Sequence, residues 1–424
     1  MAQRTKSKPA AGAPLGINGL GRIGKLLVWH HAARGHFPGL VVNLGREVGK
    51  GLEAVCGVIE NDSTYGQMHR FLFGVNAAPC IRIVDREAGL LDVAGTPVTV
   101  LQKARNPRDV DWHAHGVRVV VDTTGAFDDP TRPAEHAGGA LRGHLAGGAE
   151  KVINSAAFKI KDKAAAMPDD AVTLIYGINH AAFDPHSHAV ISAASCTTTA
   201  LAHLLKPLLD RLGAGGIMTA SMSTIHAATN SQSVLDTVPA AGASDLRKNR
   251  SALNSIILTS TNAAKALEQV IPEITSIGFM ADSVRIAVPT ESLIILNVTF
   301  QTHIGPDGRS TGNRDVLNGI YRDAARGPQA GLLHYSERQN VPADVMGMRA
   351  AVVVESVETH TRTGFASIDF RDLDLPEHVM EHLDNPVLTI PVTHAKIFGW
   401  YDNEYGSYTN LLGDLSTYVQ DALR

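Results

Sequence analysis

The sequence predicts an α/β domain on a parallel sheet, followed by an α+β domain with a mixed or antiparallel sheet. Three observations predict it. A strand, glycine turn, helix and strand follow one another from Leu15; short strand-like runs then alternate with helix-capable stretches up to about Ser195; and beyond Gly213 the strands become longer and alternate in polarity. The 424 residues, 44% hydrophobic and 19% charged, have the composition of an ordinary globular chain, which excludes collagen, coiled coil and wholesale disorder. With 42 acidic against 38 basic residues the formal charge is −4, which argues against a general grip on nucleic acid or an anionic membrane. No apolar run approaches the roughly 20 residues of a membrane span. Cys56, Cys80 and Cys196 are too scattered for a disulfide framework or a metal motif. A soluble, cytoplasmic protein without membrane or nucleic-acid partners is the expectation.

Residues 1–14, with Arg4, Lys6 and Lys8 among Ala, Pro and Ser, read as a mobile tail. Leu15–Asn18 reads as a strand; Ile23, Leu26, Leu27 and His30 recur at helical spacing; Leu40–Asn43 reads as a second buried strand. Such a βαβ unit implies a right-handed crossover and a parallel sheet. Further strands are expected at Val117–Val121, Lys151–Asn154 and Ala189–Ala193, and an amphipathic helix with flexible joints over Asp128–Gly148. Ala200, Leu201, Leu204, Leu205, Leu208, Leu209 and Leu212 draw one helical stripe, with Pro207 as a kink point. Ser292–Gln301 and Ala351–Glu358 read as long strands, and Asn262–Val270 and Tyr405–Leu423 as helices.

Gly19-Leu20-Gly21-Arg22-Ile23-Gly24 lies between the first strand and the first helix, the context a dinucleotide-binding turn requires. There the backbone approaches a pyrophosphate closely, and the helix N-terminus supplies N–H groups and partial positive charge. The second strand of such a unit normally ends in an acid that holds the ribose hydroxyls. Here Asn43 is followed by Leu44, Gly45 and Arg46. Arg46 either meets a 2′-phosphate or lies exposed while the ribose is held elsewhere, so NAD or NADP is open on these residues.

Cys196 stands where a strand ends and the leucine-striped helix begins, a place where helix N–H groups stabilise a thiolate. His226 follows 30 residues later on a strand-like run. A Cys and a His at that distance are more commonly a core thiol and an ordinary histidine, and the surrounding motifs change that weighting. Ile17–Gly24, Ser192–Thr198, Ile225–Asn230 and Trp400–Gly406, in this order, resemble the glyceraldehyde-3-phosphate dehydrogenase family. Shorter matches at Asn61–Gly66, Thr124–Phe127, Asp245–Arg247 and Ala263–Glu273 extend the resemblance over nearly the whole chain.

The resemblance implies a Rossmann NAD(P)-binding domain over residues 15–195, rejoined by a C-terminal helix over 403–424, and a catalytic domain over 196–402. It implies Cys196 as nucleophile and His226 as base. It places Gly19, Gly21, Arg22, Ile23, Gly24, Asn43, Arg105, Thr124, Gly125, Ser155 and Asn403 around the cofactor, Asn403 on the nicotinamide amide and Arg105 on the adenine. Two anion pockets are implied as well: Thr229 and Arg285 for a substrate phosphate and Ser195, Thr197 and Thr261 for inorganic phosphate, with Arg247 and Asn262 among the substrate- or phosphate-binding residues. Oxidation of glyceraldehyde 3-phosphate to an acyl phosphate follows, with another phosphorylated aldehyde such as erythrose 4-phosphate, or a catalytically silent relative, as alternatives. A homotetramer is implied too.

The chain departs from the family pattern around the anion pockets. Thr199 replaces an Asn, Asn262 replaces a Gly, Ser231 stands where an acid is common, and Arg285–Thr290 holds two extra residues. His113 with His115 and His186 with His188 lack supporting ligands, so no metal site is expected.

Overall fold

The computed structural model describes residues 12–424 except Lys103, Lys163, Asn230, Ser231 and Glu381; most of the predicted tail, and the substitution at Ser231, therefore lie outside the described residues. The chain divides into two compact units. The first holds the chain up to Thr199, Met346–Ala351 and Asp402–Arg424; the second holds Ala200–Val345 and Val352–Tyr401.

The first unit is built on a nine-stranded sheet. Its spatial order is Ala171–Thr173, Val190–Ser192, Lys151–Asn154, Val119–Asp122, Leu15–Asn18 (β1), Leu40–Asn43 (β2), Thr96–Leu101, Leu90–Val93 and Ile81–Asp85. The strands up to Thr96–Leu101 pair in parallel, and the last two fold back antiparallel as an edge hairpin. β1 and β2 are buried at every position, as strands covered on both faces must be. Strand order reverses at β1, so the crevice beyond the carboxyl ends of β1 and Val119–Asp122 is the topological switch point, where α/β sheets hold their ligands.

The first helix, α1 (Arg22–Arg34), buries Leu26, Leu27 and Trp29 and stops at Gly35, whose φ of 64° suits a residue without a Cβ. The Trp29 indole donates to the Ile59 carbonyl (2.6 Å), satisfying its one polar atom in the core. The C-terminal segment forms a π-helical turn at Tyr405–Thr409 and then an α-helix over Asn410–Asp421, which packs on α1. Contact is close: a Cβ at Gly413 would lie 2.2 Å from His30 Nε2. His30 Nδ1 faces Asn410 Oδ1 (3.2 Å), and Ser416 Oγ meets His31 Nε2 (3.2 Å).

Asp128–Gly148 corrects the sequence reading. The segment runs as successive turns, and only Arg142–Ala146 is helical. Pro130 and Pro133 withhold backbone donors, and the Asp129 carboxylate instead accepts from the backbone N–H and hydroxyl of Thr131 (3.0 and 2.6 Å). The observed strands Val119–Asp122 and Val190–Ser192 lie within two residues of their expected bounds.

The second unit carries an eight-stranded mixed sheet. Ile257–Thr259, Gly278–Arg285, Ile217–His226, Ser292–Gln301, Val387–Tyr401, Val352–Glu355 and Leu333–Ser336 lie side by side, and His360–Asp369 pairs with the far half of Val387–Tyr401. Ser292–Gln301 alternates buried and half-buried positions along its length, the period-two pattern of a strand with one covered face. The expected strand over Ala351–Glu358 is shorter, Val352–Glu355, and passes into a 3₁₀ turn at Ser356–Glu358. The helix opened by Cys196 runs to Leu212 with Pro207 inside it. No helix among the described residues is long and apolar enough to cross a membrane, and no three metal-ligating side chains gather there.

The buried histidines of α1 make stability depend on pH. Burial, then the nearby His36 and Arg34, hold the His31 pKa at about 3. An unfolded histidine takes its proton near 6.5, so between these values the unfolded chain binds more protons, and stability falls as pH falls. Urea unfolding at pH 7.5 and 5.0 should show a loss of up to about 1.4 kcal/mol per pH unit from this residue. His31→Asn should flatten the dependence.

Candidate active site

The glycine turn is shaped by two close approaches. Gly19 sits at φ 101°, a conformation that favours glycine, and a Cβ on Gly24 would stand 2.1 Å from the Gly19 carbonyl oxygen, so strand and helix meet only because Gly24 lacks a side chain. Nothing lies within 4 Å of where a Cβ on Gly21 would be. Gly21 caps α1 without a side-chain hydrogen bond, and no acidic residue occupies the first turn. The N-terminus of α1 thus presents backbone donors and partial positive charge toward open space, and Arg22 contributes a buried Nε that finds no protein acceptor. These features fit a dinucleotide pyrophosphate.

A buried polar network underlies the turn. The Trp112 indole donates to His144 Nδ1 (3.0 Å), which fixes the His144 proton on Nε2, and that atom donates to Asp122 Oδ2 (3.0 Å). The same carboxylate oxygen accepts from Asn18 Nδ2 (2.8 Å), and Asn18 Oδ1 accepts from Asn43 Nδ2 (2.8 Å). Hydrogen bonds from His144, Thr124 and Asn18 outweigh burial and keep the Asp122 carboxyl below its ordinary pKa. Its other oxygen accepts from the Thr124 amide and hydroxyl (2.9 and 2.6 Å), which sets the exposed Thr124-Gly125 turn. Ser155, half-buried, donates its amide to the Asp122 carbonyl (2.9 Å).

At the tip of β2 the Asn43 side chain is turned inward, to Asn18 and the Ala104 carbonyl (2.9 Å). Leu44 follows, and Gly45, at φ 64°, lies against the Arg105 backbone. Arg46 and Arg105 are exposed.

Cys196 is delivered by a strained bend. Ala194 takes φ 54°, a conformation costing a non-glycine residue on the order of 1 kcal/mol. Ser195 caps the helix, its hydroxyl accepting from the Thr198 amide (3.2 Å) and meeting the Thr198 hydroxyl (2.8 Å). Cys196 is then the first helical residue and half-buried, with Thr197 buried behind it. Asn403 Nδ2 lies 3.7 Å from the Cys196 sulfur, as a carboxamide donor to a thiolate would. Sequence reasoning missed Tyr65, Asp402 and Glu404, which fix the Asn403 turn.

In the second unit, His226 and Arg285 are register partners at the ends of two parallel strands, and their side chains touch. His226 Nδ1 faces the Ala227 carbonyl (2.8 Å), and Arg285 Nη1 lies 3.3 Å from the same oxygen. Burial first and the Arg285 charge second lower the His226 pKa to about 4, so at neutral pH the ring is uncharged.

Thr229, half-buried three residues on, donates its amide to Gln232 Oε1 (3.1 Å). Arg247 is exposed on a 3₁₀ turn and pairs with Asp245 (2.9 Å). Ile257–Thr259 runs antiparallel to Gly278–Arg285 with Ile257 opposite Arg285, so Thr261 and Asn262 follow at the end leading away from Arg285. Thr261 Oγ1 accepts from Ala263 N (3.2 Å), and Asn262 is the exposed N-cap of the helix Ala263–Val270. The loop after Arg285 carries Glu291, buried and at φ 68°, which nothing in the sequence pattern marks.

Two family profiles match the chain: the glyceraldehyde 3-phosphate dehydrogenase NAD binding domain over residues 13–130 and the C-terminal domain of the same enzymes over residues 195–370. Glyceraldehyde-3-phosphate dehydrogenase 2 of Streptomyces avermitilis is 32% identical over 410 residues, 96% of this chain and 99% of that one. Glyceraldehyde-3-phosphate dehydrogenase 1 of the same organism is 34% identical over 409 residues, again 96% and 99% of the two chains. Glyceraldehyde-3-phosphate dehydrogenase 1 of Bacillus subtilis is 30% identical over 405 residues, 96% and 97% of the two. With its glycine turn, capped cysteine and uncharged histidine in these matched regions, the chain belongs to the glyceraldehyde-3-phosphate dehydrogenase family and is an NAD(P)-dependent phosphorylating dehydrogenase.

Proposed function

We propose that the protein oxidises glyceraldehyde 3-phosphate to 1,3-bisphosphoglycerate through a thioester on Cys196. The observation that carries this reading is Cys196 itself, at a capped helix start with the Asn403 amide against its sulfur. The thiolate attacks the aldehyde carbon, and the resulting thiohemiacetal gives its hydroxyl proton to His226 Nε2. Loss of hydride from the thiohemiacetal carbon leaves a thioester, and NAD(P), held at the Gly19–Gly24 turn and by Asn403, would supply the hydride acceptor. Inorganic phosphate then attacks the thioester carbonyl, the C–S bond breaks, and the acyl phosphate leaves with the thiolate restored. Arg285 and Thr229, with Arg247, are assigned to the substrate phosphate, and Ser195, Thr197, Thr261 and Asn262 to the attacking phosphate.

The domain division carried by this reading is a cofactor domain over residues 15–195 with the 403–424 segment, and a catalytic domain over 196–402. Family membership further supports a cytoplasmic homotetramer, which light scattering checks. A silent, cofactor-binding relative would have no chemical need for Cys196 and His226 together. The same chemistry on erythrose 4-phosphate is tested with that substrate in the assay below.

Purified protein with glyceraldehyde 3-phosphate and NAD or NADP should reduce the nicotinamide in a phosphate-dependent way. Cys196→Ser should abolish the reaction, and His226→Asn should slow it by roughly 10²- to 10⁴-fold. Full activity in the Cys196 variant would sink the mechanism.

The absence of a carboxylate at the tip of β2 and the exposed Arg46 support use of NADP beside NAD. Leu44→Asp, placing a carboxylate where the ribose is held, should depress kcat/KM for NADP while sparing NAD.

The lowered His226 pKa predicts that this histidine's own step in the acid limb of kcat/KM lies near pH 4. Removing the neighbouring charge in Arg285→Gln should move the acid limb up, toward the ordinary histidine value of about 6.5.

A further inference from the structure

Both residues beside Asn403 are acidic, and both converge on one buried phenol. Tyr65 Oη donates to Asp402 Oδ1, lies 3.3 Å from Glu404 Oε2, and accepts from the Tyr405 amide (3.1 Å). A single hydroxyl therefore holds the turn on either side of Asn403. The Asp402 carboxylate is braced further, accepting from the Glu404 amide (2.9 Å) and from the Gly347 amide (2.8 Å).

Tyr65 is itself held firmly. Its ring packs against Phe71 (centroids 5.3 Å apart) and Tyr405 (5.9 Å), which also touch each other (5.0 Å), and it is 7% exposed. The turn that carries it is closed by Asp62, whose carboxylate accepts from the Thr64 and Tyr65 amides (2.7 and 3.0 Å) and pairs with Lys25 of α1 (2.8 Å). Arg22, in the glycine turn, spans the two sides: its Nη2 meets Thr64 Oγ1 (3.0 Å) and Glu404 Oε2 (3.1 Å). The phosphate-binding turn, the Asp62–Tyr65 turn and the Asn403 turn thus form one rigid assembly.

We propose that Tyr65 is a positioning residue for hydride transfer: its hydroxyl fixes the Asn403 carboxamide against the Cys196 sulfur and the nicotinamide. The inference rests on the dehydrogenase reading above and assigns part of that chemistry to a side chain that touches no reacting atom. Burial first, then the Asp402 and Glu404 carboxylates, push the phenol well above its ordinary pKa, so it stays a donor throughout the working range.

The test uses full-length Tyr65→Phe, which removes one oxygen and keeps the ring. Single-turnover reduction of the nicotinamide should slow by roughly 10- to 100-fold, the loss expected from a misplaced reacting group, while the Kd for NAD changes by less than about 3-fold. Alkylation of Cys196 by iodoacetamide, measured without cofactor, should also slow, because the amide no longer steadies the thiolate. A purely stabilising role would lower the melting temperature and leave both rates alone, which would overturn the proposal. In a cycle with Asp402→Ala, the two losses should combine to clearly less than their sum; fully additive losses would overturn it as well. If the wild type showed no phosphate-dependent reduction, the dehydrogenase reading would fall, and the alkylation rates would still decide whether Tyr65 acts on the Asn403–Cys196 pair.

Discussion

The carbonyl of Gly19 and the Cα of Gly24 come together so closely that no side chain fits between them, and the rest of the first unit is organised by that approach. It brings α1 against the carboxyl end of β1, aims the free end of the helix into the switch-point crevice, and places Arg22 where it can bridge to Thr64 and Glu404. A methyl group at Gly24 would force helix and strand apart, and with them the Arg22 bridge that ties the glycine turn to the turn holding Asn403.

Charge is arranged differently in the two units. Around the glycine turn, carboxylates are buried but saturated with donors: Asp122 by His144, Asn18 and Thr124, and Asp62 by Lys25 and two amides. They serve as fixed acceptors that stiffen loops. Around His226 the field is positive. Burial and the Arg285 charge together disfavour a second positive charge and leave the imidazole neutral. One arrangement holds geometry, and the other sets the charge of a ring.

How far the sequence discloses this depends on the range of the interaction. β1, β2, Lys151–Asn154 and Ser292–Gln301 have the bounds their apolar patterns predict, because burial on one or both faces is written into consecutive residues. Asp128–Gly148 misleads because its richness in Ala, Gly and His permits a helix with flexible joints, whereas Pro130, Pro133 and the Asp129 side chain settle it as turns. Asn43 sits at a legible strand tip, yet its side chain serves the interior, since the Asn18 it pairs with is visible only once the strands lie side by side. Tyr65 and Asp402 are 337 positions apart, and neither is distinctive alone, so their pairing emerges only from the fold. The contact of His226 with Arg285 likewise depends on the register of two strands joined through a long excursion.

The first unit is assembled from both ends of the chain, with the whole second unit intervening between Thr199 and Asp402, apart from Met346–Ala351. During synthesis at about 5 to 20 residues per second, the nucleotide-binding sheet must wait on the order of ten to forty seconds for the segment that brings Asn403 to Cys196 and covers α1. A chain cut short within the second unit therefore lacks both the Asn403 amide at the Cys196 sulfur and the cover over α1. Covering the helix and placing that amide become one event.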